Sequence, residues 1–385
     1  MNKLNLFNQS DISQSQFLKD YWHKKPLLFK SAINIEDLKV LPNKTKLIQL
    51  SCHEDIQSRV VFKQSEDEYS VEFGPFIEND FEEIEQDPKQ NAWNLLVSDV
   101  DKWQPESRQI LDYFNFIRNW IFDDIMLSCG SKGGTVGPHT DHYDVFLIQV
   151  TGQRQWSYGH NKIYNPDLKP DIDLKLMSNF KADEIHTLNP GDVLYIPPEV
   201  AHYGIAASDD CVTCSIGMRT PSHSELMTSF VDYLAQKKSD DDRFEEPQFN
   251  QPPQIGEIKQ NDLDKISQIL TDNLNNQNQS LNHWFGQYIT EYRSLFFEFN
   301  QYQDPEDIDK TKDLKLSPFS KSCYFAQNQK ADLYVNGQHY ETSLVLAEFI
   351  CNEKKVSPII YDSLSKTDWE ILLALFENGS LIQDS

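Results

Sequence analysis

The chain has 385 residues, of which 39% are hydrophobic and 12% aromatic, enough for real cores and for two or three domains. A formal net charge of −25 argues against non-specific binding to nucleic acid, so no direct nucleic-acid contact is expected; it suits a basic protein partner or simply a soluble surface. No apolar run of about eighteen residues is present to span a membrane, the start "MNKLNLFNQSDISQSQ" lacks a signal peptide's apolar centre, and six cysteines in so long a chain make no disulfide framework, so a cytoplasmic protein is expected.

Ser13 to Gln16 has the form of a capping box, with Phe17, Leu18, Tyr21 and Trp22 as the buried side of the helix it starts and Pro26 as its stop. The acidic stretch from Phe76 to Gln90 reads as an exposed helix or loop. Ile110, Tyr113, Phe114, Ile117 and Ile121 recur at helical spacing and predict a core-packing helix. Ile125–Cys129 opens a set of barrel strands. The glycine-rich segment Gly130–Gly137 lacks the Gly-Lys-Ser/Thr ending of a phosphate cradle and reads as a loop at the mouth of the barrel.

His139 and Asp141 follow directly. On a strand, residues i and i+2 face the same side, so this pair can grip one ion. A lone His-x-Asp is common and mostly without meaning; the neighbours give it weight. In Gly191–His202, Pro197 and Pro198 force a turn that feeds His202 into the next strand. Glycine, five residues, proline, four residues and histidine is also the spacing of the second cupin motif. Two histidines and one carboxylate with open positions form the facial triad of non-haem Fe(II) oxygenases. Such iron needs an electron source, in the largest class 2-oxoglutarate, whose far carboxylate suits an arginine fork. Tyr143–Val150 reads as a strand, Thr151–Gln153 as a turn and Arg154–Tyr158 as the returning strand, from which Arg154 points into the barrel beside the metal. Thr213 and Ser215, on the strand after His202, are placed as pocket-lining candidates. His142 is out of phase with Asp141, and His160 and His186 carry no ligand pattern, so all three are read as non-ligands. Cys211 and Cys214 form a C-x-x-C, yet on a strand they face opposite sides and there is no second pair.

Ser222–Leu234 resumes a helical pattern, and "KKSDDDRFEEPQFNQPPQIGE" has a linker's composition. Leu263, Ile266, Ile269, Leu270 and Leu274 define an amphipathic helix. Trp284, Phe285, Tyr288, Ile289, Tyr292 and Leu295 define another, whose face packs on its own barrel or on a second subunit. Tyr324–Ala326 and Leu333–Tyr340 read as strands with an Asn336-Gly337 hairpin turn, followed by helices over "SLVLAEFICNEKKVS" and "DWEILLALFENGSLIQDS". This end looks like a winged-helix domain. Its second helix has little Lys or Arg and carries Asp368, Glu370 and Glu377, which favours a protein-contact or scaffold role over DNA.

The blocks "GPHTDHYDVFLIQVTGQRQWSYG" and "GDVLYIPPEVAHYGIA" resemble the bacterial JmjC-domain ribosomal oxygenases, which belong to the cupin-like 2-oxoglutarate oxygenases. The similarity extends to Phe17–Leu27, Trp93–Asp101, Cys214–Ser222 and Leu281–Arg293. It implies a mainly β plus α fold: a double-stranded β-helix (cupin/JmjC jelly roll) over residues 1–221, a helical dimerisation region over 222–300 and a winged-helix-like domain over 301–385. By position it makes His139, Asp141 and His202 the Fe(II) ligands and catalytic centre. Arg154 becomes the 2-oxoglutarate arginine, with dioxygen as the oxidant; Ser215 is set beside the co-substrate by its place on the strand after His202 alone. It also implies a homodimer that hydroxylates the β-carbon of an arginine in large-subunit ribosomal protein sixteen. Asp144 and Tyr143 are candidate contacts for that guanidinium. The alternatives are a histidyl or lysyl hydroxylase or demethylase of the same family, and a metal-binding interaction protein without turnover; Arg154 argues against the last, since a binding module needs no carboxylate clamp.

Overall fold

Ser13 starts the first helix, α1 (Gln14–Asp20), by accepting a hydrogen bond from the Gln16 amide at 3.2 Å. Phe17 is fully buried and Tyr21 and Trp22 pack beside it, but Leu18 points outward. The helix ends well before Pro26, which instead precedes β1 (Leu27–Phe29). The computed structural model describes residues 4–65, 68–87, 92–170, 172, 174–239, 241–245, 254, 256–275 and 278–383. They divide into two units, Met1–Thr220 and Pro221–Ser385.

The first unit continues with α2 (Lys44–Ser51), β2 (Ser58–Lys63), β3 (Tyr69–Phe73), α3 (Glu78–Gln86), β4 (Trp93–Val97) and α4 (Val100–Trp103). The acidic stretch is thus mostly helix, and it is not wholly exposed, because Phe81 and Ile84 are buried; residues 88–90 lie outside the described residues. Barrel strands follow: β5 (Ile125–Gly130), β6 (Asp144–Thr151), β7 (Arg154–Lys162), β8 (Glu184–Leu188), β9 (Val193–Ile196), β10 (Val200–Ala206) and β11 (Cys211–Met218). The predicted helix over Ile110–Ile121 is instead a 3-10 helix over Pro105–Phe114 and a second short one over Asn119–Ile121. Ile110 and Tyr113 sit three apart, the spacing that a 3-10 turn aligns on one side; Ile110, Tyr113, Phe114 and Ile117 are buried as expected, whereas Ile121 is only partly buried.

Two antiparallel sheets result. The large one runs β1-β9-β6-β11-β5-β4-β2-β3 and the small one β10-β7-β8. From β5 onward the chain passes repeatedly between them, the path of a double-stranded β-helix. One face of the large sheet, with Leu95, Leu127, Phe146, Tyr195 and Cys214, packs on Phe17 and Phe114. The other face, with Val145, Leu147, Leu194 and Ile196, meets Trp156, Tyr158 and Val200 of the small sheet. The turn at Thr151–Gln153 forms no hairpin. β6 pairs with β9 and β11, whereas β7 pairs with β8 and β10, so this turn carries the chain from one sheet to the other. Gly152 (φ +61°) is needed there, because a Cβ would lie 2.3 Å from the Ser208 hydroxyl oxygen.

The second unit begins with α5 (His223–Ala235), capped reciprocally by Ser222 and Glu225, then α6 (Gln260–Leu274), α7 (Asn278–Glu291) and α8 (Phe296–Phe299). Of the linker stretch, residues 240, 246–253 and 255 lie outside the described residues. Trp284 and Ile289 of α7 are buried inside the unit, Trp284 against Phe230 at a centroid distance of 4.9 Å. The apolar stripe of α6 is different: no residue of that helix is buried. Strands β12 (Leu314–Leu316), β13 (Ser322–Gln327), β14 (Lys330–Val335) and β15 (Gln338–Ser343) follow, then α9 (Leu344–Glu348), β16 (Lys355–Val356), α10 (Lys366–Glu377) and β17 (Leu381–Ile382). Asn336 and Gly337 both take positive φ (+49° and +78°), as a two-residue hairpin turn requires. Helix α9 is shorter than predicted; a π turn over Phe349–Glu353 continues it. Helix α7 lies so close to the β13-β14-β15 sheet that a Cβ on Gly286 would meet the Tyr334 ring at 2.3 Å.

Candidate active site

His139 and Asp141 stand on an irregular segment rather than on a regular strand, which corrects the expectation from their spacing. His139 makes a single bridge to His202 on β10, with backbone N–H···O distances of 3.1 and 3.0 Å. The Asp141 carbonyl accepts from the Glu199 amide at 2.7 Å. These bonds, with Gly137 at φ +84°, aim three side chains at one point. Asp141 Oδ2 lies 3.5 Å from His202 Nε2 and 3.9 Å from His139 Nε2, and the two imidazole centroids are 4.3 Å apart.

The second nitrogen of each ring is engaged. His139 Nδ1 bonds the Gly137 carbonyl and His202 Nδ1 the Val200 carbonyl, both at 3.0 Å. A carbonyl only accepts, so each Nδ1 carries the proton and each Nε2 presents a lone pair, the tautomer a metal needs. Burial, aided by the neighbouring His139, pushes His202 down to about 4, which keeps it neutral at physiological pH. The donor set can hold one divalent cation and, with three protein ligands, leaves further coordination positions free.

Arg154 is 2% exposed on β7. It pairs with Ala206 while Tyr158 pairs with His202, so Arg154, Trp156 and His202 share the inner face of the small sheet; the Trp156 and His202 rings are 5.8 Å apart. Across the barrel, Asn94, Ser128, Gln149, Thr213 and Ser215 share the inner face of the large sheet by register. Arg154 Nη2 donates to Asn94 Oδ1 at 2.6 Å. Among the described residues no carboxylate pairs with this buried cation. Arg154 Nε, Asn94 Nδ2 and Trp156 Nε1 are all buried without a hydrogen-bond partner. A cation and orphaned donors inside a barrel, where unpaired groups are costly, fit an anionic ligand such as a carboxylate.

Thr213 is buried and its hydroxyl donates to Gln149 Oε1 at 3.3 Å, while Ser215 is half-buried farther along the same face. The structure therefore brings the triad together on one point and places Arg154, Thr213 and Ser215 on the facing inner walls. Asn94 was missed. Its signal was available: one amide in the apolar run Trp93-Asn94-Leu95-Leu96-Val97 of a fully buried strand.

Asp144 does not face the site. It lies on the outer face of β6, accepts from the Tyr195 hydroxyl, and pairs with His23 Nδ1 at 2.5 Å. It is a structural acceptor, since 144 is out of phase with the inward-facing Val145 and Leu147. Tyr143 does lie among acidic groups: Asp141 chiefly, with burial, Asp124 and Asp123, raises its hydroxyl pKa, and Arg219 opposes them. His142 bonds Glu199 Oε1 at 2.6 Å; His160 and His186 both pair with Glu184, at 2.9 and 2.8 Å. None of the three joins the triad. Cys211 and Cys214 lie on opposite faces of β11, both free and buried.

A family model described as a JmjC domain matches residues 109–226. The chain is 32% identical over 285 residues to the ribosomal protein uL16 3-hydroxylase of Escherichia coli, covering 74% of this chain and 73% of that protein. It is 39% identical over 219 residues to a probable ribosomal oxygenase of Haemophilus influenzae, covering 56% of this chain and 52% of that protein, so this match spans about half of the relative's length. The solved structure of E. coli YcfD has a TM-score of 0.80 at 26% identity, covering 97% of this chain and 98% of that one. A structure of YcfD, a ribosomal oxygenase, in complex with cobalt and 2-oxoglutarate shares the fold, with a TM-score of 0.77 at 23% identity, covering 97% of this chain and 99% of that one.

Proposed function

This chain belongs to the JmjC-domain ribosomal oxygenases, and we propose that it hydroxylates an arginine of a large-subunit ribosomal protein at the β-carbon, with Fe(II), 2-oxoglutarate and dioxygen. One observation carries the reading: a buried arginine with no carboxylate partner among the described residues shares a barrel wall with His202 of the His-Asp-His cluster. His139, Asp141 and His202 hold the iron. Arg154 binds the far carboxylate of 2-oxoglutarate, Asn94 and Trp156 offer it their unpartnered N–H groups, and Thr213 and Ser215 line the same pocket. The iron, with 2-oxoglutarate and dioxygen, supplies an oxidant able to attack an unactivated C–H bond. The protein fixes the imidazole tautomers through Gly137 and Val200 and keeps the neutral His202 away from bulk water. Trp156 lies between Arg154 and His202 along that wall.

Recognition of the target rests on charge. The Tyr143 ring with the neighbouring carboxylate of Asp123 suits a guanidinium. The chain's net charge of −25 suits a basic ribosomal protein. A ribosomal protein substrate supports a cytoplasmic location. No described helix is long and apolar enough to cross a membrane. The bare apolar stripe of α6 supports a homodimer. The C-terminal part serves as a winged-helix-like scaffold rather than a DNA reader, because Asp368 of α10 is spent on Thr342 and Ser343 and that helix has one lysine and no arginine.

The test is mass spectrometry of a uL16 peptide incubated with the protein, Fe(II) and 2-oxoglutarate. The peptide gains one oxygen at the arginine β-carbon, and replacing that arginine with lysine stops the gain. An unmodified arginine peptide beside an oxidised histidine-containing ribosomal peptide overturns the substrate assignment in favour of the histidyl reading.

A further inference from the structure

A second set of metal-ligating side chains lies in the Pro221–Ser385 unit, outside the barrel. His283 of α7, Asp332 of β14 and His339 of β15 bring one ligand atom each to within 4.8 Å of one another. The imidazoles of His283 and His339 meet edge to face with centroids 4.6 Å apart. His339 Nε2 is 2.9 Å from Asp332 Oδ1. Asp332 is 8% exposed, and the two histidines are half-buried.

The surroundings hold these groups as ligands are held. The Gln327 amide donates to the other carboxylate oxygen, Asp332 Oδ2, at 2.6 Å, which leaves Oδ1 turned to the histidines. The Tyr334 hydroxyl sits 3.3 Å from His283 Nδ1, so one nitrogen of that ring is engaged and the other is available. The Tyr334 ring also packs on His339, with centroids 5.2 Å apart. Such outer partners fix carboxylate and imidazole orientation at metal sites. The placement is set by backbone packing: the β14–β15 hairpin brings Asp332 and His339 to one side of the sheet, and Gly286 lets α7 approach closely enough to deliver His283.

We propose that His283, Asp332 and His339 form a second divalent-metal site, for a borderline cation of the zinc type. Two imidazoles and one carboxylate are donors such a cation accepts in tetrahedral geometry, with water as the fourth ligand. The charges suit it: two neutral histidines and one carboxylate leave a bound dication with a net charge of about +1, in a chain of net charge −25. Binding replaces the His339–Asp332 hydrogen bond with bonds to the metal and ties α7 to the hairpin. The site clamps structure within this unit and takes no part in oxidation.

The experiment separates this site from the barrel. The full chain with His139→Ala and Asp141→Ala is stripped with chelator, dialysed against buffered micromolar zinc, and assayed for metal by elemental analysis. It retains one zinc per chain, and its melting temperature rises with zinc. Adding His283→Gln or His339→Gln abolishes both. The wild-type chain binds two zinc ions, and cobalt(II) in the triad variant gives the intense visible absorption of a tetrahedral centre. A triad variant that binds no zinc, or that keeps it after both histidines are replaced, overturns the proposal. Should the histidine variants fail to fold, the count on the triad variant still decides.

Discussion

Replacing Arg154 with lysine separates the fork of the guanidinium from its charge. Arg154 is held by the Asn94 oxygen at 2.6 Å and packs against the Trp156 ring at 5.8 Å, so its remaining donors face the pocket. Two charge-assisted bonds to a carboxylate contribute about 1.5–3 kcal/mol each. Lysine retains the charge and one of those bonds, and its shorter head cannot serve both Asn94 and the ligand. The expected loss is about 2 kcal/mol, roughly a thirtyfold rise in the 2-oxoglutarate dissociation constant. Arg154→Met removes charge and both bonds, for a loss on the order of a hundredfold or more. Calorimetric titration of 2-oxoglutarate into the cobalt(II)-loaded protein measures this directly, and succinate release gives the matching KM. Melting curves control for the Asn94 oxygen left unpaired. An unchanged 2-oxoglutarate affinity in a variant that melts like the wild type would refute the assignment and move the carboxylate to another residue.

Three further perturbations follow. Asn94→Asp places a carboxylate 2.6 Å from the guanidinium, where it neutralises Arg154 and competes with the ligand; 2-oxoglutarate KM rises about tenfold or more, while Fe(II) affinity measured in the absence of 2-oxoglutarate stays near wild type. Leu263→Asp with Leu270→Asp charges the exposed stripe of α6, residues that are 50% and 58% exposed; light scattering reports twice the chain mass for the wild type and the monomer for the variant, and a wild-type monomer at micromolar concentration refutes the dimer. Burial, with Asp99 and Asp123 adding repulsion and Lys102 opposing it, raises Asp124 from 3.8 to about 7. The native state therefore holds a proton that the unfolded chain has released. This contribution is fully present below about pH 4 and is lost as pH rises through about 7, a loss bounded at about 4 kcal/mol. Asp124→Asn removes that titration, so melting temperature between pH 4 and 8 changes less in the variant than in the wild type; equal slopes reject the buried carboxyl.

The convergence of His139, Asp141 and His202 was legible in the sequence because two residues apart is close enough to share a point and the proline turn before His202 fixes its place. Their backbone was not. Spacing alone suggested a strand, whereas one bridge to β10 and the Glu199 amide hold the segment, both supplied by residues about sixty positions away. The helix over Ile110–Ile121 failed similarly: the stripe of apolar positions is real, but spacing by three serves a 3-10 helix as well as an α-helix. Asp144 misled because being next to a motif says nothing about the face; its alternation with Val145 was the better guide. In α7, large aromatics suggested a partner surface, and the structure spends Trp284 and Ile289 inside their own unit.

The turn at Thr151–Gln153 explains why the pocket was only half visible. Read as a hairpin, it sets Arg154 beside the strand of residues 144–151 and gives no reason to look at Asn94. Because the turn instead crosses between sheets, Arg154 lies opposite β4, and the amide at 94, sixty residues earlier, becomes its partner. The wall that Arg154 shares with His202 is made by pairing β7 with β10, while the wall carrying Asn94, Thr213 and Gln149 is made by pairing β4, β5, β11 and β6. A carboxylate pocket built this way needs both sheets at once. Each wall alone is an ordinary strand face with some buried polar residues, and only their facing sets an arginine without a counter-ion among the described residues in a pocket that fits a dicarboxylate.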